Sequence, residues 1–200
     1  DTIVVNGKVW PTFGTQAAPK PAKRYRFLFL NGSNARTYEL ALEDAVTGQA
    51  GPPMWIIGTD GGYLDRATKL DPAAATGTTK LLMMPGERYD VVIDFNDTAW
   101  RAANPNFSGQ LLLRNTGNSP YPDGDPVDPE TTGQILKFWI GAPPRRDRGW
   151  NPASNSLLRA PMVRLANPTT GTSNVVANVT RQLTLNEVIG PGGPVEVLVN

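Results

Sequence analysis

Apolar and polar positions alternate along most of the chain with a period of two, the signature of half-buried strands. Tyr25, Phe27 and Phe29 alternate with Arg24, Arg26, Leu28 and Leu30, which puts the aromatics on one face. The cluster Asn31-Gly32-Ser33-Asn34 then reads as a turn. Thr37 to Leu42 returns as a strand with Tyr38, Leu40 and Leu42 on one face. Met54 to Gly58 is a short apolar run closed by Thr59-Asp60-Gly61-Gly62, a second turn. Lys80 to Met84 and Arg88 to Phe95 are strands joined through Pro85-Gly86, where proline fixes φ and glycine frees it. Three apolar residues in a row, Val91, Val92 and Ile93, predict a strand covered on both faces and central in its sheet. Gln110 to Arg114 and Gln134 to Ile140 complete the set. Asp1 to Trp10 reads as a strand already in progress. Helical periodicity is missing throughout; Ala99 to Asn104 has room for one helical turn. The expectation is an all-β sandwich or barrel.

The segment from Gly141 to Asn178 breaks this pattern. It carries Pro143, Pro144, Pro152, Pro161 and Pro168 and the run Arg145-Arg146-Asp147-Arg148, and it reads as a linker wrapping over a surface. Gln182 to Ile189 and Val195 to Val199 flank Gly190-Pro191-Gly192-Gly193-Pro194, a hairpin signature. The expected division is a domain over 1–141, a linker over 142–178, and the opening strands of a further domain over 179–200. The chain opens on Asp1 without an initiator methionine, as a piece of something longer would.

Composition narrows the function classes. Twenty glycines and 19 prolines are roughly a fifth of the 200 residues, against about 12% in average usage, which favours turns over helices. Net charge is +1, a poor basis for binding nucleic acid, which needs a dense cationic face. No stretch approaches the ~18 apolar residues of a membrane-spanning helix. The chain has no Cys and no His. That excludes disulfides, thiolate metal sites and thiol catalysis, and with them Ser-His-Asp triads and imidazole copper or zinc sites.

The remaining candidates for chemistry are sparse. Asp123, Asp125, Asp128 and Glu130 crowd one loop, but Pro126 and Pro129 interrupt the alternation a Ca²⁺ loop requires. Asp60-Gly61-Gly62 and Gly190 to Gly193 lack the strand–loop–helix setting of a phosphate loop. Lys20, Lys23, Arg24 and Arg26 form one basic cluster and Arg145, Arg146 and Arg148 another, both fitting solvated charge or pairing between domains. Glu87, Asp90 and Asp94 are a conceivable carboxylate set, yet period two puts Glu87 on the opposite face from the other two. Asn31, Asn96, Asn106 and Asn178 head Asn-x-Ser/Thr triplets, acceptors for glycan in a eukaryotic secreted protein. Trp10, Trp55, Trp100, Trp139 and Trp150 fit core or interface packing better than sugar stacking.

Four strings, in order and in register, carry a resemblance. They are Val5-Asn6-Gly7-Lys8-Val9-Trp10-Pro11; Tyr25-Arg26-Phe27 with Leu30-Asn31-Gly32-Ser33-Asn34-Ala35-Arg36-Thr37-Tyr38; Gly58-Thr59-Asp60-Gly61-Gly62; and Pro85-Gly86-Glu87-Arg88-Tyr89-Asp90-Val91-Val92-Ile93-Asp94-Phe95. Together they resemble the middle domain of three-domain multicopper oxidases, in the branch of spore-coat laccases, bilirubin oxidases and phenoxazinone synthase. The match runs from Asp1 to Ile140, and Leu183-Thr184-Leu185-Asn186-Glu187 is similar to the family's entry into its third domain.

The resemblance implies a cupredoxin-like Greek-key barrel. It also implies that the type 1 copper lies in the third domain and the trinuclear cluster between first and third, so that no copper ligand falls in this segment. The implied role is to join the flanking cupredoxin domains and to supply part of a substrate cleft, with Ala35 and the loop Ser119-Pro120-Tyr121 as candidate wall residues. The implied parent reaction is one-electron oxidation of a small aromatic phenol or aminophenol, coupled to four-electron reduction of O2 to water. The other reading of the residues is a stand-alone, metal-free β-sandwich that binds a ligand or serves a structural purpose.

Overall fold

The computed structural model describes residues 2–160, 162, 164–167, 169–176 and 178–199. It divides into two compact units, Asp1–Ala160 and Pro161–Asn200.

The first unit opens on a hairpin, β1 (Val4–Val5) and β2 (Lys8–Val9), followed by β3 (Thr12–Phe13). The single strand expected over the first ten residues is therefore two. Asn6 and Gly7 turn the chain at φ 50° and 77°, and Asn-Gly is the pair that tolerates two left-handed residues in succession. Then come β4 (Arg24–Leu30), β5 (Tyr38–Asp44), β6 (Met54–Thr59), β7 (Gly62–Leu70), β8 (Leu81–Met83) and β9 (Arg88–Asp94). A short helix α1 (Thr98–Ala103) leads to β10 (Gln110–Asn115) and β11 (Gln134–Trp139).

Two sheets form, ordered β3-β11-β10-β5-β8 and β4-β9-β6-β7. The chain crosses between them after β3, β4, β5, β7, β8 and β9, a Greek-key connectivity. β9 is central in its sheet and Val91, Val92 and Ile93 are all buried, as the three apolar residues in a row predict. β7 was not legible in the sequence. It is an edge strand with Tyr63 exposed and charged Asp65, Arg66 and Lys69, so it lacks an apolar stripe.

The core lies between the sheets. Phe95 and Phe138 are fully buried, with ring centroids 5.3 Å apart. Phe13 and Phe27 each meet Phe138 edge-on at 5.8 and 5.9 Å. Each such ring contributes about 1.5–3 kcal/mol through burial, plus the preference of aromatic edges for faces. Trp100 of α1 closes one end, its Nε1 donating to the Ala50 carbonyl at 2.9 Å.

Residues 142–160 lie along the outside of the β4-β9-β6-β7 sheet as a strap. Asp147 Oδ2 accepts from the Arg24 N–H at 3.0 Å, and Arg24 Nε lies 3.2 Å from carboxylate oxygens of both Asp147 and Asp94. Burial pushes the Asp94 carboxyl up, against the Asn96 N–H and Arg24. Further on, Arg66 donates to the Asn155 carbonyl, the Leu158 N–H donates to the Asp65 carbonyl, and Arg159 pairs with Asp65.

The second unit contains the hairpin β12 (Leu185–Gly190) and β13 (Gly193–Val199), antiparallel around Pro191-Gly192. Leu185, Ile189 and Val199 are exposed on it. Among the described residues, no helix is long and apolar enough to cross a membrane.

Candidate functional site

Ala35 lies in the β4–β5 turn, and Ser119, Pro120 and Tyr121 in the long β10–β11 loop. Pairing of β5 with both β8 and β10 brings these connections to one end of the sandwich. Their common foundation is the start of β5. A Cβ at Gly117 would stand 3.1 Å from the Thr37 carbonyl and from the Glu39 nitrogen, so the β10–β11 loop leaves its strand pressed against that backbone.

Two buried asparagines set the loops. Asn31 is 3% exposed; its Oδ1 accepts from the Ser33 N–H, and its Nδ2 donates to the carbonyls of Arg36 and Met83 at 2.8 and 3.0 Å. The turn bearing Ala35 is thereby closed on itself and fastened to the end of β8. Asn115 is 1% exposed; its Oδ1 accepts from the N–H groups of Glu39 and Gly117, both at 3.0 Å, and its Nδ2 donates to the Thr132 carbonyl. It holds the two ends of the β10–β11 loop together over β5. Just outside, the Thr116 hydroxyl and Lys80 both reach the Glu39 carboxylate, at 2.6 and 3.0 Å. The Thr116 hydrogen bond, aided by Lys80, holds that carboxyl below its ordinary value against the cost of its burial.

The tip of the loop is a small closed structure. Ser119 and Asp125 exchange backbone hydrogen bonds at 2.9 and 3.1 Å, and the Gly124 N–H donates to the Pro120 carbonyl at 2.7 Å. A Cβ at Gly124 would come within 2.2 Å of the Pro120 nitrogen, so only glycine fits. The Ser119–Pro120 and Tyr121–Pro122 peptides are cis. Tyr121 is 36% exposed at the tip, and Ala35 is exposed on its turn. Both positions therefore stand at the surface of this end, Tyr121 beside the acidic residues Asp123 and Asp125 of the same loop.

The other candidates are placed as follows. Asp128 Oδ1 accepts the Glu130 N–H, and among the described residues no three carboxylates gather as a metal site. Asp90 takes Arg26 in a two-point ion pair, Asp94 takes Arg24, and Glu87 accepts the Met84 N–H, so the three carboxylates serve separate structural bonds. Lys20 and Lys23 lie over the rings of Phe13 and Tyr25. Of the five tryptophans Trp100 is buried, whereas Trp10 and Trp150 are exposed. Asn31 is not a glycan acceptor, because its amide nitrogen is buried and spent on two carbonyls. Its positioning role was hidden within that triplet and the turn cluster. Asn115 had no signal beyond ending an apolar run, since a strand-end asparagine looks alike whether solvated or buried.

No protein-family model matches the chain. A laccase from Bacillus subtilis (strain 168) is 35% identical over 143 residues, 72% of this chain and 22% of that protein. The multicopper oxidase LPR1 of Arabidopsis thaliana is 29% identical over 201 residues, the whole of this chain and 28% of that protein. Among solved structures, a variant of the McoA multicopper oxidase from Aquifex aeolicus matches with a TM-score of 0.56 and 27% identity, covering 82% of this chain and 30% of that one. The chain thus spans about a quarter of the length of the curated relatives it matches. Strand order, the motifs that shape the β4–β5 and β8–β9 turns, and these relatives agree: the chain is a cupredoxin-like domain of the multicopper oxidases.

Proposed function

We propose that this chain is the copper-free middle domain of a laccase-like multicopper oxidase, holding copper-bearing neighbours in register and forming part of the substrate cleft. In this reading residues 1–141 are the domain proper, 142–178 connect it onward, and 179–200 begin the next domain. The parent oxidises phenol- or aminophenol-type substrates one electron at a time and passes four electrons to O2. The residues present do not fit copper: the whole sequence lacks His and Cys, the nitrogen and sulfur donors that copper sites of this kind use. The redox steps therefore belong to other parts of the parent.

The observation that carries the reading is that one end of the sandwich gathers both candidate connections, the Ala35 turn fastened by Asn31 to β8 and the Ser119–Tyr121 loop by Asn115 to β5. A fixed loop bearing a half-exposed tyrosine suits a flat aromatic ring, which the tyrosine can contact face or edge. The hairpin β12–β13, with apolar side chains exposed and too few strands to stand alone, supports a continuation into another domain. In the parent enzyme, Tyr121→Ala is expected to lower kcat/KM for phenols about tenfold, some 1.4 kcal/mol, while leaving a non-aromatic reductant unaffected. An unchanged value for phenols removes the loop from the cleft.

A further inference from the structure

β4 is an edge of its sheet, paired with β9 alone. The Asn31 N–H donates to Glu87 and the Phe95 N–H to the Lys23 carbonyl, so odd-numbered residues of β4 turn their backbone groups toward β9. Even-numbered residues turn theirs away. The first of these, Arg24, gives its N–H to Asp147 of the strap. Beyond it the strap has left the edge, and the backbone groups of Arg26, Leu28 and Leu30 meet no partner among the described residues.

A groove of about 580 Å³ runs along this open edge. Residues 2–6 form its far wall, and Leu40, Met83, Leu113 and Ile135 lie at its floor. Among the described residues, no Asp, Glu, Lys or Arg lines it. On the outer side of the same strand, Leu28 and Leu30 are 77% and 66% exposed. Unpaired strand edges with exposed apolar side chains are ordinarily covered, because they recruit any extended chain that reaches them.

We propose that this edge takes up an extended segment contributed by the rest of the parent chain, added as a further strand beside β4. The inference rests on the reading that the chain is one domain of a longer oxidase, and the matched relatives are several times its length. The far wall favours a single extended segment over the sheet edge of a second copy, because a folded sheet brings its own neighbouring strands. The chemistry of the occupant follows from the two faces it must meet. Side chains pointing inward meet the apolar floor, and those pointing outward lie beside Leu28 and Leu30. The segment is therefore apolar on its inner face and, beside Leu28 and Leu30, on its outer face as well, with a polar position tolerated only where it passes Arg26. To pair from Arg26 to Leu30 it needs about five residues at ~3.3 Å each.

Amide hydrogen exchange tests this in the 200-residue chain and in the full-length parent. In the short chain the amides of Tyr25, Phe27 and Phe29 are expected to be slow, and those of Arg26, Leu28 and Leu30 fast at every protein concentration. In the parent the even-numbered amides are expected to slow by ~100-fold or more. Fast exchange in both overturns the proposal. So does slowing in the short chain that grows with concentration, which would put a second copy on the edge. Leu28→Asp in the parent is expected to restore fast exchange at Arg26 and Leu30 while Tyr25 and Phe27 stay slow, showing the sheet intact; undiminished protection overturns the proposal. Copper content of the same parent preparation reads the family role separately. A copper-free parent with slowed even-numbered amides defeats that role and leaves the added strand standing.

Discussion

Asn115 and Asp44 show how much of this fold depends on single polar side chains that water cannot reach. Asn115 satisfies two N–H groups and one carbonyl with one amide. Asn115→Ala leaves all three without this partner, two of them buried, and is expected to cost about 3 kcal/mol in a urea unfolding series, with little change in its m-value. Asp44 is 3% exposed at the end of β5, where its carboxylate accepts from the N–H groups of Val46, Thr47 and Ser108, each at 2.9 Å. Burial pushes this carboxyl up, but the three donors outweigh it and hold it below its ordinary value. A carboxyl with a depressed pKa stabilises the fold fully above the unfolded value of ~3.9, and that stabilisation fades as pH falls through the folded value. Asp44→Asn is therefore expected to be ~1–3 kcal/mol less stable at pH 7, with the gap closing below about pH 4. Equilibrium unfolding of both proteins across that range measures it; a gap independent of pH contradicts the assignment.

The strap is the element whose fastening the sequence concealed. The prolines and the run of arginines from Gly141 on read as a linker wrapping over a surface, without saying which residues fasten it. Asp147 stands among Arg145, Arg146 and Arg148, which masks it as one charge in a solvated run. In the structure it closes on the backbone of Arg24, more than a hundred residues earlier in the chain, a pairing that local pattern cannot reveal. Asp147→Ala is expected to speed trypsin cleavage at the neighbouring arginines about tenfold while moving the melting temperature of the sandwich by only a few degrees. Equal cleavage rates would mean that the later contacts at Asp65 and Arg66 suffice. β4 makes the opposite case. Its aromatic stripe was legible because Tyr25, Phe27 and Phe29 face a core, and the same alternation identified Leu28 and Leu30 as outward. Their exposure became meaningful only once β4 proved to be an edge.

At the scale of the molecule, the all-β class and the central place of β9 were legible because apolar periodicity and two-sided burial leave a direct trace in sequence. β7 and the β1–β2 hairpin were not: the first is polar and marginal to the core, and the second is two residues to a strand. The candidate wall was legible only through the resemblance. Ala35 and Tyr121 bear no chemistry that composition could flag, and what gathers their loops at one end, Asn31 and Asn115, is ordinary in type and exceptional only in burial.

The strap also governs how the sandwich would answer a pull. Tension applied to the chain beyond Ala160 is first borne by the Arg159–Asp65 ion pair and the Leu158–Asp65 backbone bond, which lie across the edge strand β7. These bonds share the load before it reaches Asp147, and Asp147 shares it again before it reaches β11. The mechanical weak point of this half of the chain is thus displaced from the end of a core strand to a surface tether. The tether can slip and re-form without unzipping a sheet, as a strain relief on a cable spares the soldered joint.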